Sequence, residues 1–277
     1  MMTGEALAAG AAYLGRKGID TPRLDAERIF SLALGLSRLQ LYTDHDRPLS
    51  ESERTALRAL LERRAAREPL AYVLGEWGFR TLRLRTDARA LVPRPETEIV
   101  VERALALLAE LPAPRVVDVG TGSGAIALAI ASEHPGARLS ATDISAAALS
   151  LAAENARALG LAIDFRHTSL LEGLPGPFEL VVSNPPYVGA DELPGLEPEV
   201  RDWEPRQALV AEAQTEQLAA SARGVLAAGA WIVLECHALR AAAVAACLAE
   251  LGYAGVRITP DLAGRERVVE ARWEPAR

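Results

Sequence analysis

The sequence predicts an α/β fold: a Rossmann-like, mostly parallel sheet with an antiparallel hairpin at one end, preceded by a small N-terminal helical domain. Three observations predict it. Residues up to about Tyr72 carry helical periodicity with capping signals, short apolar strands and helices alternate from Pro114 onward, and the last two strand candidates are joined by a loop too short for a covering helix. With 277 residues, 50% hydrophobic and 24% charged, the chain has the balance of an ordinary globular protein and room for one large core and one small one.

In the N-terminal part, residues 1–74, Thr21-Pro22 reads as an N-cap followed by proline at the first helical position. Ser50-x-x-Glu53 reads as a capping box ahead of Leu57, Leu60 and Leu61. Arg63, Arg64 and Arg67 read as a solvated helix face. Over 75–93 the period shifts to two, Leu82 and Leu84 alternating with Arg83 and Arg85, which predicts a hairpin connector. The third part, 94–277, opens with a helix from Pro93-Arg94-Pro95-Glu96-Thr97-Glu98 to about Leu111, halted by Pro112. Strands are then expected near 116–119, 139–142, 163–166, 180–183, 231–235, 255–259 and 268–272, with helices near 125–133, 146–159, 216–226 and 239–251.

The formal charge of −7 argues against broad adhesion to nucleic acid or anionic membrane, because phosphate neutralisation needs surplus Lys and Arg. Cys236 and Cys247 form neither a disulfide framework nor a C-x-x-C ligand pair and read as core residues. His45, His134, His167 and His237 lack ligand spacing, so no metal site is expected. No run approaches the roughly 20 apolar residues of a membrane helix. The N-terminus lacks a basic segment followed by a long apolar one, so a cytoplasmic location is expected.

Two segments carry the chemistry. The first, Asp118-Val119-Gly120-Thr121-Gly122-Ser123-Gly124, follows a short apolar strand and opens a helix rich in small residues. Gly120 and Gly122 let the backbone approach a ligand, and Gly124 permits close helix packing. Asp143, at the end of the second strand of the unit, is placed to accept both hydroxyls of a ribose. The loop and this carboxylate fit either a nicotinamide dinucleotide or S-adenosylmethionine.

The second segment, Asn184-Pro185-Pro186-Tyr187, leaves an apolar strand and belongs beside the glycine loop. Two prolines remove N–H donors and leave carbonyl acceptors. A planar –NH2 group has two in-plane donors, which match the side-chain oxygen of Asn184 and the carbonyl of Pro185, while Tyr187 offers a flat face for stacking. Fixing the group in this way directs its nitrogen lone pair at a methyl donor, so the segment selects methyl transfer to a planar nitrogen and hence S-adenosylmethionine. A nucleobase amino group of the adenine N6 type fits the same acceptors.

Beyond these segments, Glu68–Trp77, Val92–Glu98, Glu204-Pro205-Arg206-Gln207-Ala208-Leu209 and Asp261–Val269 resemble the HemK/PrmC family, the protein-(glutamine-N5) methyltransferases that act on class I peptide chain release factors. The resemblance spans nearly the whole chain and implies a class I methyltransferase sheet. It implies that Gly120, Thr121, Gly122, Ser123, Gly124, Asp143, Ser169, Leu170 and Asn184 hold S-adenosylmethionine, and that Asn184, Pro185, Pro186 and Tyr187 hold the glutamine of a Gly-Gly-Gln loop, with Asn184, Pro185 and Tyr187 at the reaction. It further implies that the helical domain engages the release factor, and no stable nucleic-acid partner is expected. The sequence departs from the family at Ser169, where an Asp near the adenine is usual, at Val210-Ala211-Glu212-Ala213, where glycines are usual, and at Cys236-His237, where a glycine is usual after Glu235.

Overall fold

The computed structural model describes residues 1–210 and 213–275, which fall into two units. Unit one comprises Met1–Glu76 together with Glu197–Trp203, and unit two comprises Trp77–Leu196 with Glu204–Arg277.

Unit one is helical: α1 (Thr3–Arg16), α2 (Pro22–Leu34), α3 (Arg38–Thr43), α4 (Glu51–Ala65) and α5 (Leu70–Leu74). Leu7, Leu14, Ile29, Phe30 and Leu57 form its centre. At Ser50 the capping box is complete, the Glu53 N–H donating to Ser50 Oγ and the Ser50 N–H to the Glu53 carboxylate. Thr21 holds the N-cap position of α2 with proline behind it, but its hydroxyl donates to Asp25 Oδ1 at 2.8 Å and caps no backbone group.

The arginine face of α4 also differs from the solvated face its sequence suggests. Arg64 is 7% exposed and donates to Asp25 Oδ2 at 2.7 Å, with Glu199 at 2.9 Å. Arg67 donates to Glu199 at 2.6 Å, and Arg63 lies against Glu68. Charge alone could not reveal this for Arg64 and Arg67, since Asp25 and Glu199 lie far away in sequence. Glu199 stands on a short helix, α9 (Pro198–Trp203), which leaves unit two after Leu196 and returns at Glu204.

At the boundary the chain enters unit two through a two-stranded ribbon, β1 (Glu76–Phe79) and β2 (Leu82–Arg85), followed by α6 (Thr97–Leu108). The alternation then runs β3 (Arg115–Val119), α7 (Ala125–Glu133), β4 (Arg138–Asp143), α8 (Ala146–Leu159), β5 (Ile163–His167) and β6 (Phe178–Ser183). It continues past α9 with α10 (Arg206–Leu209), α11 (Gln214–Ala222), β7 (Leu226–Glu235), α12 (Ala241–Glu250), β8 (Tyr253–Pro260) and β9 (Glu266–Trp273). The helix expected over 216–226 ends at Ala222, because Leu226 already pairs with Phe178 as the first residue of a longer β7.

The seven-stranded sheet has the order β5-β4-β3-β6-β7-β9-β8, with β9 antiparallel to both of its neighbours. This is the parallel sheet with an antiparallel hairpin at one edge that the spacing predicts. Strand side chains alternate between faces. Val116, Leu180 and Val182 pack with α6 and α7 on one side, while Val117, Val181 and Ile232 pack with α11 and α12 on the other. Each fully buried aliphatic side chain contributes about 1.5–3 kcal/mol. Between β3 and β6 the order of connection reverses, and Val119 pairs with Ser183 at their carboxyl ends. Crevices at such switch points are where open α/β sheets bind ligands.

Candidate active site

The loops leaving β3 and β6 meet at this switch point and line a cleft of about 790 Å3, its mouth included. From the sequence-predicted residues, Gly120, Gly122, Asp143, Ser169, Leu170, Asn184, Pro185 and Pro186 line it. Thr121, Ser123, Gly124 and Tyr187 are not among its lining residues. Pro205, Gln207 and Ala208 of the Glu-Pro-Arg-x-Ala-Leu segment join the lining, as do Arg89, Ala90, Leu91, Ile144 and Gln214.

The glycine loop is shaped by its own backbone. The N–H groups of Gly120 and Thr121 donate to the Thr142 carbonyl at 2.8 and 2.9 Å, and Gly120 and Gly122 have φ of +70° and +57°. A Cβ at Gly120 would meet no atom within 4 Å, so the loop presents an open cradle. Gly124 is needed for packing: with φ at +86°, a Cβ there would lie 2.9 Å from Leu128 Cδ1 and 3.2 Å from Ala152 Cβ.

Asp143 reaches across to this loop. Its Oδ2 accepts from the Gly122 N–H at 2.9 Å and its Oδ1 from the Ser145 N–H at 2.8 Å. Each oxygen keeps a further lone pair, so the carboxylate is oriented and can still accept two hydroxyls. Ile144, beside it, exposes an apolar side chain at the cleft. An open glycine cradle, a fixed carboxylate acceptor and an apolar surface fit a ribose-bearing cofactor.

Beneath the loop, Asp118 is fully buried. Its Oδ2 accepts from Thr121 Oγ1 at 2.6 Å and from the Ala127 N–H at 3.2 Å, while Oδ1 has no partner among the described residues. Burial pushes its carboxyl up to about 7 against these hydrogen bonds.

The Asn-Pro-Pro-Tyr segment is held from a distance. Asn184 Nδ2 donates to Thr97 Oγ1 at 3.1 Å, and the Tyr187 hydroxyl donates to Glu235 Oε1 at 3.4 Å. Burial, reinforced by the Glu235 charge, pushes the Tyr187 phenol up to about 12. The nearby Arg94 donates through Nη2 to both oxygens of Glu204, at 2.8 and 2.6 Å, and the Glu204 carboxylate is buried. This pair ties the Pro-Arg-Pro-Glu-Thr-Glu segment to the Glu-Pro-Arg-x-Ala-Leu segment. Glu96 accepts from Arg265, and Glu98 accepts from the Arg80 N–H. Arg94 and Glu96 each form an ion pair with a segment distant in the chain.

Thr97 and Glu235 escaped the sequence reading. Thr97 looked like one polar residue in an acidic first helical turn, and Glu235 like the end of a buried strand; the only signal was a carboxylate closing an otherwise apolar run. Ser169 lines the cleft where a carboxylate would be usual, so no charge faces a ligand from that position. Ala213 adopts a left-handed φ of +56°, the conformation glycine favours, while Ala211 and Glu212 of that stretch lie outside the described residues. Cys236 is buried, whereas Cys247 is only half-buried. Among the described residues no helix is long and apolar enough to cross a membrane.

The family description "PrmC N-terminal domain" matches residues 5–75, and "Methyltransferase small domain" matches residues 100–194. A release factor glutamine methyltransferase of Chlorobaculum tepidum is 42% identical over 272 residues, covering 93% of this chain and 92% of its own. A protein of the same name from Deinococcus radiodurans is 41% identical over 276 residues, covering 98% and 99%. Among solved structures, a T. thermophilus 16S rRNA methyltransferase superposes with a TM-score of 0.55 at 16% identity, over 71% of this chain and 49% of that one, a likeness of fold alone. With two-fifths of its residues shared over nearly its full length, the chain belongs to the family of release factor glutamine methyltransferases.

Proposed function

We propose that this enzyme transfers a methyl group from S-adenosylmethionine to the side-chain amide N5 of the glutamine in the Gly-Gly-Gln motif of class I release factors. The observation that carries the reading is the convergence of the glycine loop and Asn184-Pro185-Pro186 on one cleft at the β3–β6 switch point. S-adenosylmethionine, when bound, supplies an activated methyl group. Gly120 and Gly122 offer backbone room for it, Asp143 accepts the ribose hydroxyls, and Ile144 offers an apolar surface to the adenine.

On the substrate side, the engaged Asn184 nitrogen leaves Oδ1 to accept one amide proton, and the Pro185 carbonyl accepts the other. Tyr187 steadies the loop from behind through Glu235. An amide nitrogen is a poor nucleophile because its lone pair is delocalised. Two acceptors on its protons orient that pair toward the methyl group, and proximity does much of the rest. The new N–C bond would form as the donor's S–CH3 bond breaks, leaving a thioether; the nitrogen becomes cationic and its now acidic proton passes to water, so a strong general base is not required.

The helical unit one would engage the body of the release factor, and the reaction would take place in the cytoplasm where translation terminates. Incubation with S-adenosylmethionine and unmodified release factor, followed by mass spectrometry of the Gly-Gly-Gln peptide, should find one added methyl group on the glutamine. Label appearing in DNA or RNA with none in the release factor would replace this reading with a nucleobase amino-methyltransferase.

A further inference from the structure

The two most exposed large apolar side chains among the described residues are Leu262, at 103%, and Leu239, at 89%. Both belong to unit two, and both lie at the edge of the sheet from which Asn184 leaves β6. β7 runs parallel to β6, and β8, like β7, is antiparallel to β9, so the carboxyl ends of β6, β7 and β8 share that edge. Leu262 stands in the turn that follows β8, and Leu239 in a short 3-10 turn, Ala238–Arg240, that follows β7. The roots of the two turns are tied together. The Cys236 N–H donates to the Arg267 carbonyl at 2.9 Å, and Arg267 Nη1 donates back to the Cys236 carbonyl at 3.3 Å.

Isolated exposed leucines are common on protein surfaces, but Leu262 sits on a tightly fixed turn. The buried Asp261 carboxylate accepts from the N–H groups of Ala263 and Arg265 and from Arg265 Nε, each at 2.9 Å. The Asp261 N–H donates to the Arg265 carbonyl at 2.7 Å and the Gly264 N–H to the Asp261 carbonyl at 2.8 Å, while Gly264 takes the φ of +76° that closes the turn. The backbone is thus held on both sides of a side chain that stands free in solvent. The turn also reaches the substrate side of the cleft, since Arg265 Nη2 donates to Glu96 Oε1 at 3.2 Å and the next residue, Thr97, accepts from Asn184. On the neighbouring turn, the His237 ring lies 6.2 Å from the Tyr187 ring, and its Nδ1 accepts from the Leu239 N–H at 3.3 Å.

We propose that Leu262 and Leu239 are the apolar anchors on which the release factor seats the surface flanking its Gly-Gly-Gln loop. The proposal rests on the glutamine-methylation reading above. The tripeptide itself offers little to hold: two glycines have no side chain, and the glutamine amide is taken up by Asn184 and Pro185. Affinity for a protein substrate must then come from outside the tripeptide, and such contacts concentrate in a few apolar anchors ringed by polar groups. Both leucines have that setting. Arg265 and Arg240 next to them are matched within the chain by Asp261, Glu96 and Glu192, which favours an apolar protein surface over a phosphate backbone as the occupant. A turn already fixed in place loses little freedom when a partner covers it, so most of the gain from burying the leucine appears as affinity. Because neither leucine lines the cleft, both act on the binding of the protein substrate and leave the transfer step alone.

The wild-type protein, Leu262→Asp, Leu239→Asp and Leu262→Met are compared by kcat and KM for unmodified release factor, by calorimetric affinity for S-adenosylmethionine, by thermal midpoint and by sedimentation. Leu262→Asp should raise KM about 10-fold, and Leu239→Asp should raise it by a smaller factor. In both variants kcat at saturation, cofactor affinity and thermal midpoint should stay at wild-type values, because the side chains are exposed and support nothing in the free chain. Leu262→Met, which keeps an apolar tip, should behave as wild type. A Leu262→Asp variant with wild-type KM overturns the proposal, as does a loss that falls on kcat or on the thermal midpoint instead. A wild-type dimer that Leu262→Asp splits with KM unchanged would assign the leucines to a contact between copies of this chain. A wild-type protein that neither binds nor methylates release factor would defeat the functional reading itself, an outcome distinct from methylation that ignores the two leucines.

Discussion

The two halves of the cleft are built by different means. On the cofactor side, Gly120, Thr121 and Gly122 are held by their own N–H groups, bonded to Thr142 and Asp143 at the end of the adjacent strand. On the substrate side, Asn184 and Tyr187 are held by side chains: Thr97 from the start of α6, Glu235 from the end of β7, and beside them Arg94 clasping Glu204. A backbone-held loop depends on few side chains for its shape. A loop held by side chains can be re-aimed by a change to any distant partner. Substitutions on the cofactor side should therefore change affinity for S-adenosylmethionine, and those on the substrate side should change turnover.

The sharpest test of this division is Asn184→Ala, which removes the acceptor for the substrate amide. Turnover should fall by about 10²–10³-fold, a far larger change than any loss of cofactor affinity that calorimetry finds. Asp143→Ala should do the reverse. It removes an oriented carboxylate acceptor worth about 1.5–3 kcal/mol, so the Kd for S-adenosylmethionine should rise about 10-fold to 100-fold, with kcat at saturation little changed. If both variants moved the same parameter, the two halves would not be separable.

Arg94→Ala should have a smaller effect. It leaves the buried Glu204 carboxylate without its guanidinium, and denaturant unfolding should show a loss of about 2 kcal/mol, accompanied by a raised KM for release factor with cofactor affinity retained. The smallest effect is expected at Ala213, whose left-handed φ costs strain that glycine avoids, offset by the added freedom of glycine in the unfolded chain. Ala213→Gly should raise stability by about 0.5 kcal/mol and leave both kinetic parameters alone.

The same contrast explains what the sequence made legible. The glycine loop, Asp143 and the alternation of strands and helices are local patterns, and all appear in the fold where spacing put them. Asn184-Pro185-Pro186-Tyr187 was legible as an acceptor-rich exit from a buried strand, and its place in the cleft follows from the sheet order. Its supports were not legible. Thr97 and Asn184 lie 87 residues apart along the chain, and neither helical periodicity nor capping rules mark a threonine as the partner of a remote asparagine. Arg64 misled for the related reason that a helical arginine cluster is more often wet than buried. Only the fold reveals Asp25 and Glu199 beside it.

Glu199 has a consequence for any attempt to cut the protein into its parts. Because α9 is counted with unit one yet encoded between two stretches of unit two, the chain crosses between the units three times. A fragment ending at Glu76 would keep the buried Arg64 with Asp25 but lose Glu199, and a fragment beginning at Trp77 would display Glu199 stripped of both its arginines. Each piece, cut there, loses one side of this ion-pair cluster. A fragment that behaves as an autonomous domain should be sought by grafting 197–203 back onto the helical part through a short linker, with a matching loop closing the gap in the other.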